Sequence, residues 1–167
     1  MFFSDLVDRK LLFERNVIFG GHAAAIPFTD RELKRAWREL TACAQVAVGV
    51  ERQNPQRLLL FYAVEVGLKA VFLKRKNRSL FDSADIAKMG HDLRQILRDL
   101  GVGTNLQLPE ILELETVAKR GKNLLRNGDV SILHQAWRYG GKCVSPTDKD
   151  CEEKLEKVLI WIRGELR

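Results

Sequence analysis

The sequence predicts an all-α fold, an up-and-down bundle of about five helices, and three observations predict it. Apolar residues recur at intervals of three and four through most of the chain, helix-start signals precede those runs, and no segment reads as a sheet. With 167 residues, 46% of them hydrophobic, the chain fits one domain with a sizeable core. Residues 1–28 read as an N-terminal arm packed on the body or on a partner, and residues 29–167 as the bundle.

The arm combines a loose helical spacing (Phe2, Phe3, Leu6, Val7, Leu11, Leu12) with an extended "NVIFGG" that ends in a Gly20-Gly21 turn. The first bundle helix starts at Phe28-Thr29-Asp30-Arg31-Glu32-Leu33. Thr29 can cap it, Glu32 can complete the capping box, and Phe28 with Leu33 can form a hydrophobic staple. Leu33, Trp37, Leu40, Ala44 and Val48 then share a stripe. Asn54-Pro55 opens the second helix, and "LLLFYAVEVGLKAVFL" is apolar nearly all round, which marks the central, most buried helix. Its Glu65 and Lys69 lie one turn apart and read as a pair that tethers it. Lys74, Arg75, Lys76 and Arg78 complement the dipole at its C-terminal end.

Asp82 to Met89 predicts a short helix, and "GHDLRQILRDLG" another, with Leu93, Ile96, Leu97 and Leu100 on one face and Gly101 as its stop. Pro109 starts a longer predicted helix that runs to about Arg126, ends at Asn127-Gly128, and carries Lys119, Arg120, Lys122 and Arg126 on its outer face. Ser145-Pro146-Thr147 leads into a closing helix with Leu155, Val158, Leu159, Ile162 and Leu166 at heptad-like spacing.

Twenty-eight lysines and arginines against 22 aspartates and glutamates give a formal charge of +6, which favours phosphate-bearing partners. Three cysteines, Cys43, Cys143 and Cys151, with no disulfide framework around them, predict a reducing, cytoplasmic compartment. Asp5, Asp8, Arg9 and Lys10 interrupt any signal-peptide core, and Glu65 with Lys69 interrupts the longest apolar run, so no membrane span is expected.

No histidine pair among His22, His91 and His134 and no cysteine pair has metal-ligand spacing, so neither metal nor other cofactor is expected. Gly101-Val102-Gly103 ends a helix and lacks the lysine of a phosphate-binding loop. Glu113 and Glu115, two apart on a helix, point to different sides. Arginine with histidine remains. An imidazole can move a proton near neutral pH and a guanidinium can stabilise negative charge on a phosphorane-like transition state, which suffices for metal-free RNA cleavage. Arg15 with His22, Arg126 with His134, and His134 with Arg138 are the combinations present; the last two residues share a face if their segment is helical. His91, after a glycine and before a helix, reads as satisfying backbone groups or packing under the loop, and Trp37, Trp137 and Trp161 as core aromatics. In "WRYGG", Arg138 and Tyr139 either hold a phosphate or carboxylate, or Trp137 and Tyr139 plug the bundle end while Arg138 meets helix carbonyls.

"FYAVEVGLKAVFLKR" followed by "GHDLRQILRDLG" resembles the AxExxLKA and GHDLxxLxxxL pattern of HEPN domains, helical bundles of prokaryotic toxin–antitoxin and antiviral defence systems. Glu65, Leu68, Lys69, Ala70, Gly90, His91, Asp92, Leu93 and Leu97 carry the likeness, which covers roughly residues 30 to 165. The resemblance implies a homodimer and an accessory or regulator that binds RNA or a nucleotide phosphate through Lys119, Arg120, Lys122, Arg126, His134, Arg138 and Tyr139. Its catalytic members are ribonucleases with an R-x(4 to 6)-H motif; here Arg126-Asn127 has the dipeptide, but seven residues separate Arg126 from His134. The enzyme alternative is therefore a metal-independent endoribonuclease with Arg126 and His134 as catalytic residues. The third reading is a non-catalytic module that engages a partner protein of a defence system.

Overall fold

In the computed structural model, which describes residues 26–47 and 49–167, helices alternate with short strands. The order is β1 (Phe28–Thr29), α1 (Asp30–Cys43), α2 (Asn54–Arg75), β2 (Leu80–Phe81), α3 (Ser83–Met89), α4 (Leu93–Asp99), β3 (Leu112–Lys119), β4 (Lys122–Gly128), α5 (Leu133–Arg138), β5 (Cys143–Ser145) and α6 (Asp148–Glu165). Single 3-10 turns precede β3 and α5. Strands β1 and β2 pair antiparallel, and a second antiparallel sheet has the order β4-β3-β5. None of the described helices is long and apolar enough to cross a membrane. Most of the proposed arm, with Arg15 and His22, and the stripe position Val48 lie outside the described residues.

Helix α2 is the axis because its apolar residues find partners on every side. Leu60, Phe61, Ala63, Val64, Leu68, Ala70, Val71 and Leu73 are all within 1% of complete burial. Gly67 lets α1 and α6 close on it: a Cβ there would lie 2.8 Å from the Trp37 ring and 2.9 Å from Ile162 Cγ2. Helix α1 begins at the predicted capping box, with the Thr29 hydroxyl accepting from Glu32 N at 3.2 Å and the Glu32 carboxylate accepting from Thr29 N at 2.8 Å. Helix α2 is capped by Gln53, with Asn54 its first residue, and α6 by Thr147.

The all-α, up-and-down expectation is overturned between Pro109 and Gly128. The predicted helix over that stretch is the hairpin β3–β4, so the architecture is mixed α and β. "LELE" at its start alternates apolar with polar, the register shifts by one residue between Leu114 and Val117, and Lys119 pairs with Lys122 across a two-residue turn in which Arg120 (φ 50°) and Gly121 (φ 74°) both take left-handed backbone. That turn twists in the sense strands require, and a glycine at its second position makes it affordable. Glu113 and Glu115 accordingly sit on a strand. The root of the hairpin joins the body, through buried Leu112, through Glu113 and Leu114 on β5 and through the Glu115 N–H on Lys142 O, while every residue from Glu115 to Leu125 is exposed.

Asp148, at the start of α6, ties four elements together. Its Oδ1 accepts from Trp137 Nε1 of α5 at 2.8 Å and from the Cys143 backbone N of β5 at 3.1 Å, while its Oδ2 lies 3.6 Å from Arg57 Nη1 of α2. Arg57 also donates to Glu152 Oε1 at 2.6 Å, and Arg52 reaches the same carboxylate at 3.2 Å. Asp148→Ala strands an indole N–H, a backbone N–H and part of a buried guanidinium, so it is expected to cost about 3–5 kcal/mol and lower the melting temperature by roughly 10 °C or more, whereas exposed Lys149→Ala should leave it unchanged. A scanning-calorimetry melt of Asp148→Ala within a degree or two of the parent would refute this account of the junction.

Candidate functional site

A polar stripe runs along one side of the otherwise apolar α2. Tyr62, Glu65 and Lys69 follow at intervals of three and four, so they share a face. Glu65 is buried, at 5% exposure, and both carboxylate oxygens are used: Oε1 accepts from Lys69 Nζ at 2.6 Å and Oε2 meets His91 Nδ1 at 2.8 Å. An ionised carboxylate only accepts, so that His91 nitrogen donates and the ring presents Nε2 on its other side.

The connection between α3 and α4 aims His91. Gly90 ends α3 with φ 48°, a backbone conformation costly for other residues, and Asp92 caps α4 by accepting from Gln95 N at 3.0 Å. His91 stands between these two fixed points with its side chain 53% exposed. It neither satisfies backbone groups nor packs under the loop, but joins the α2 stripe to α5.

Helix α5 brings in His134 and Arg138, which are four apart and so lie on one face. The His134 ring lies 4.7 Å from His91, 5.4 Å from Phe61 and 6.4 Å from Tyr62, centroid to centroid. Arg138 Nη2 donates to the Tyr62 hydroxyl and its guanidinium is exposed. It does not meet helix carbonyls, and Trp137 alone plugs the end, since Tyr139 is 79% exposed. Asn54 Nδ2 donates to Gly141 O at 3.0 Å and Gly141 N to Ala136 O at 2.6 Å, so the glycine pair folds back tightly beneath Arg138.

Arg126 occupies the other side of α5. Its Nε donates to Glu115 O at 2.8 Å, and the side chain shares a groove with Gln135, Ala136 and Tyr139, the residues turned away from His134. Tyr139 borders both this groove and Arg138. Lys119, Arg120 and Lys122 form the exposed tip of the β3–β4 hairpin. Of the residues singled out in the sequence, His134 and Arg138 are brought together, Tyr139 lies at their edge, and Arg126 and the three tip residues stand apart.

Beside His91, a cleft of about 490 Å³ opens between α1, α2 and α3. Leu33, Val66 and Phe81 supply apolar walls, and Glu32, Arg35, Glu39, Glu65, Lys69 and His91 its polar lining. One N–H of the Lys69 ammonium goes to Glu65, and its Nζ lies 5.5 Å from the Phe81 ring centroid. A half-open cleft of this volume suits one small ligand.

Burial holds the His134 imidazole below its ordinary pKa of 6.5; the neighbouring His91 and Arg138 push the same way, against weaker support from the Ser131 carbonyl and Glu65. The Ser131 carbonyl lies near Nδ1 but falls short of hydrogen-bond geometry, so this buried nitrogen has no well-formed bond. Because the folded state binds this proton more weakly than the unfolded chain, its contribution to stability is full above pH 6.5 and is lost as the pH falls toward the depressed folded value. Thermal melts from about pH 7.5 to about pH 5.5 should therefore drop with acidification, and His134→Phe should flatten that slope; equal slopes in both proteins would contradict it. Compared with family models, with curated proteins and with solved structures, the chain matches none, so its chemistry is read from these residues themselves.

Proposed function

We propose that the protein binds RNA or a nucleotide through its phosphate, as an accessory or regulatory domain of a prokaryotic defence or toxin–antitoxin system, with the anion seated between Arg138 and the His91–His134 pair. One observation carries the reading: the Arg138 guanidinium and the His134 imidazole of α5 meet the half-exposed His91 imidazole from the α3–α4 connection, with Tyr62 orienting Arg138 and Glu65 orienting His91. A planar guanidinium matches phosphate oxygens with paired N–H groups, and its exposure leaves donors available. The cleft beside His91 gives a base or sugar somewhere to sit, and the basic hairpin tip offers a second contact to a longer strand. The resemblance to HEPN domains supports the same reading, because of the residues that carry the likeness His91 belongs to the seat, Glu65 orients it, and Lys69 pairs with Glu65.

An endoribonuclease working through Arg126 and His134 requires both to reach one phosphate from opposite sides of α5, so binding takes precedence over that alternative. Fluorescence anisotropy with a labelled single-stranded RNA over rising salt tests the proposal. Arg138→Ala is expected to weaken binding roughly tenfold, and a combined Lys119→Ala, Arg120→Ala, Lys122→Ala variant to reduce the salt slope by about 2, at about 0.7 per phosphate contact on a single strand. Parent-like affinity for RNA and for nucleotides in Arg138→Ala would remove the seat.

A further inference from the structure

The outer edge of β4 carries a second inference, independent of the anion seat. Strand β4 is the end strand of its sheet, and no described residue pairs with its free edge. Such edges are usually blunted by charged side chains, by proline, by a bulge on the edge strand or by a very short strand. This one carries Lys122 and Arg126 on either side of its centre, but it is seven residues long, contains no proline, and shows Leu124 at 48% and Leu125 at 77% exposure between them. Val117, opposite Leu124 on β3, is 39% exposed as well, so the apolar surface continues across the hairpin.

We propose that β4 pairs antiparallel with β4 of a second copy of this chain about a twofold axis at Leu125, joining the two three-stranded sheets into one of six strands. The strand is self-complementary in that register. Leu125 faces Leu125, Leu124 faces Arg126, Asn123 faces Asn127, and Lys122 faces Gly128. No like charges stand directly opposite, two pairs of asparagines can exchange side-chain hydrogen bonds, and the aliphatic stem of Arg126 covers Leu124. Beyond the strand ends, Arg120 and Lys122 of one copy come alongside Asp129 of the other, which follows Gly128 in the chain. A one-residue slip puts Asn123 against Arg126 and replaces the symmetric leucine pair by two staggered ones, so the register centred on Leu125 keeps the leucine and asparagine matches together. A peptide from an unrelated protein would satisfy the backbone edge but would match these side chains only by coincidence, whereas a second copy matches them by symmetry.

Sedimentation velocity of the full chain across the micromolar range should show a concentration-dependent dimer. Leu125→Lys places two ammonium groups at the axis and should weaken self-association roughly tenfold or more, while Ile160→Lys, an equally exposed site on α6, should not. In a Cys43→Ser background, which removes the exposed native thiol, Leu125→Cys should form a covalent dimer under mild oxidation and Val117→Cys, on the inner strand, should not. A chain that stays monomeric throughout that range, or a dimer indifferent to Leu125→Lys and not cross-linked through Leu125→Cys, overturns the proposal; in the second case another face joins the copies.

Discussion

The carboxylate of Asp148 is the constraint on which the rest of the structure depends. An aspartate removed from water needs its acceptor sites filled, and here Trp137, the Cys143 backbone and Arg57 fill them from three other elements. The indole bond is the consequential one. Helix α5 has only six residues, too few to hold its place by its own backbone bonds, so its orientation depends on Trp137 being locked beneath it. Once the indole is fixed, the helical period dictates that His134 and Arg138 face α2 and that Gln135, Ala136 and Tyr139 face the hairpin.

The same logic explains why polar groups line so apolar a helix. Buried on every side, α2 cannot keep Glu65 and Lys69 unless each offsets the desolvation of the other, and a single pair at 2.6 Å leaves a carboxylate oxygen and two ammonium hydrogens unanswered. His91 answers the oxygen. Replacing the pair with leucine and methionine would cost little by the usual reckoning for buried ion pairs, so stability alone does not account for three polar groups meeting at one opening.

How far this was legible in the sequence depends on the range of the interaction. The Thr29 capping box, the apolar surround of α2, the face of α4 and the Thr147 start of α6 are fixed by neighbours within four residues, and each stands where the pattern puts it. The helical expectation for the hairpin fails for a physical reason: leucine, glutamate, alanine and lysine favour helices intrinsically, and pairing of β3 with β4 along its length and with β5 at its root overrides that preference. Alternation in "LELE" and the Arg120-Gly121 turn are the local signals that point to it. In the site, the spacing of His134 and Arg138 was visible, but the bond from His91 to Glu65 spans 26 residues, and nothing local distinguishes that histidine from one packed under a loop.

Within the proposed reading, the energetics of the two histidines become a single problem. Burial above all lowers the His134 imidazole pKa, and His91 and Arg138 push the same way against opposition from Ser131 and Glu65. An anion seated among the three reverses the sign of that local field: the neighbours that opposed the proton now share a negative partner, and the unsatisfied Nδ1 costs less to charge. Anion binding and proton uptake then strengthen each other by thermodynamic reciprocity, whichever happens first. Glu65, paired with Lys69, supplies the bond that aims His91 at the anion. Selectivity consequently rests on geometry, on a guanidinium oriented by Tyr62 and an imidazole oriented by Glu65, and less on net charge.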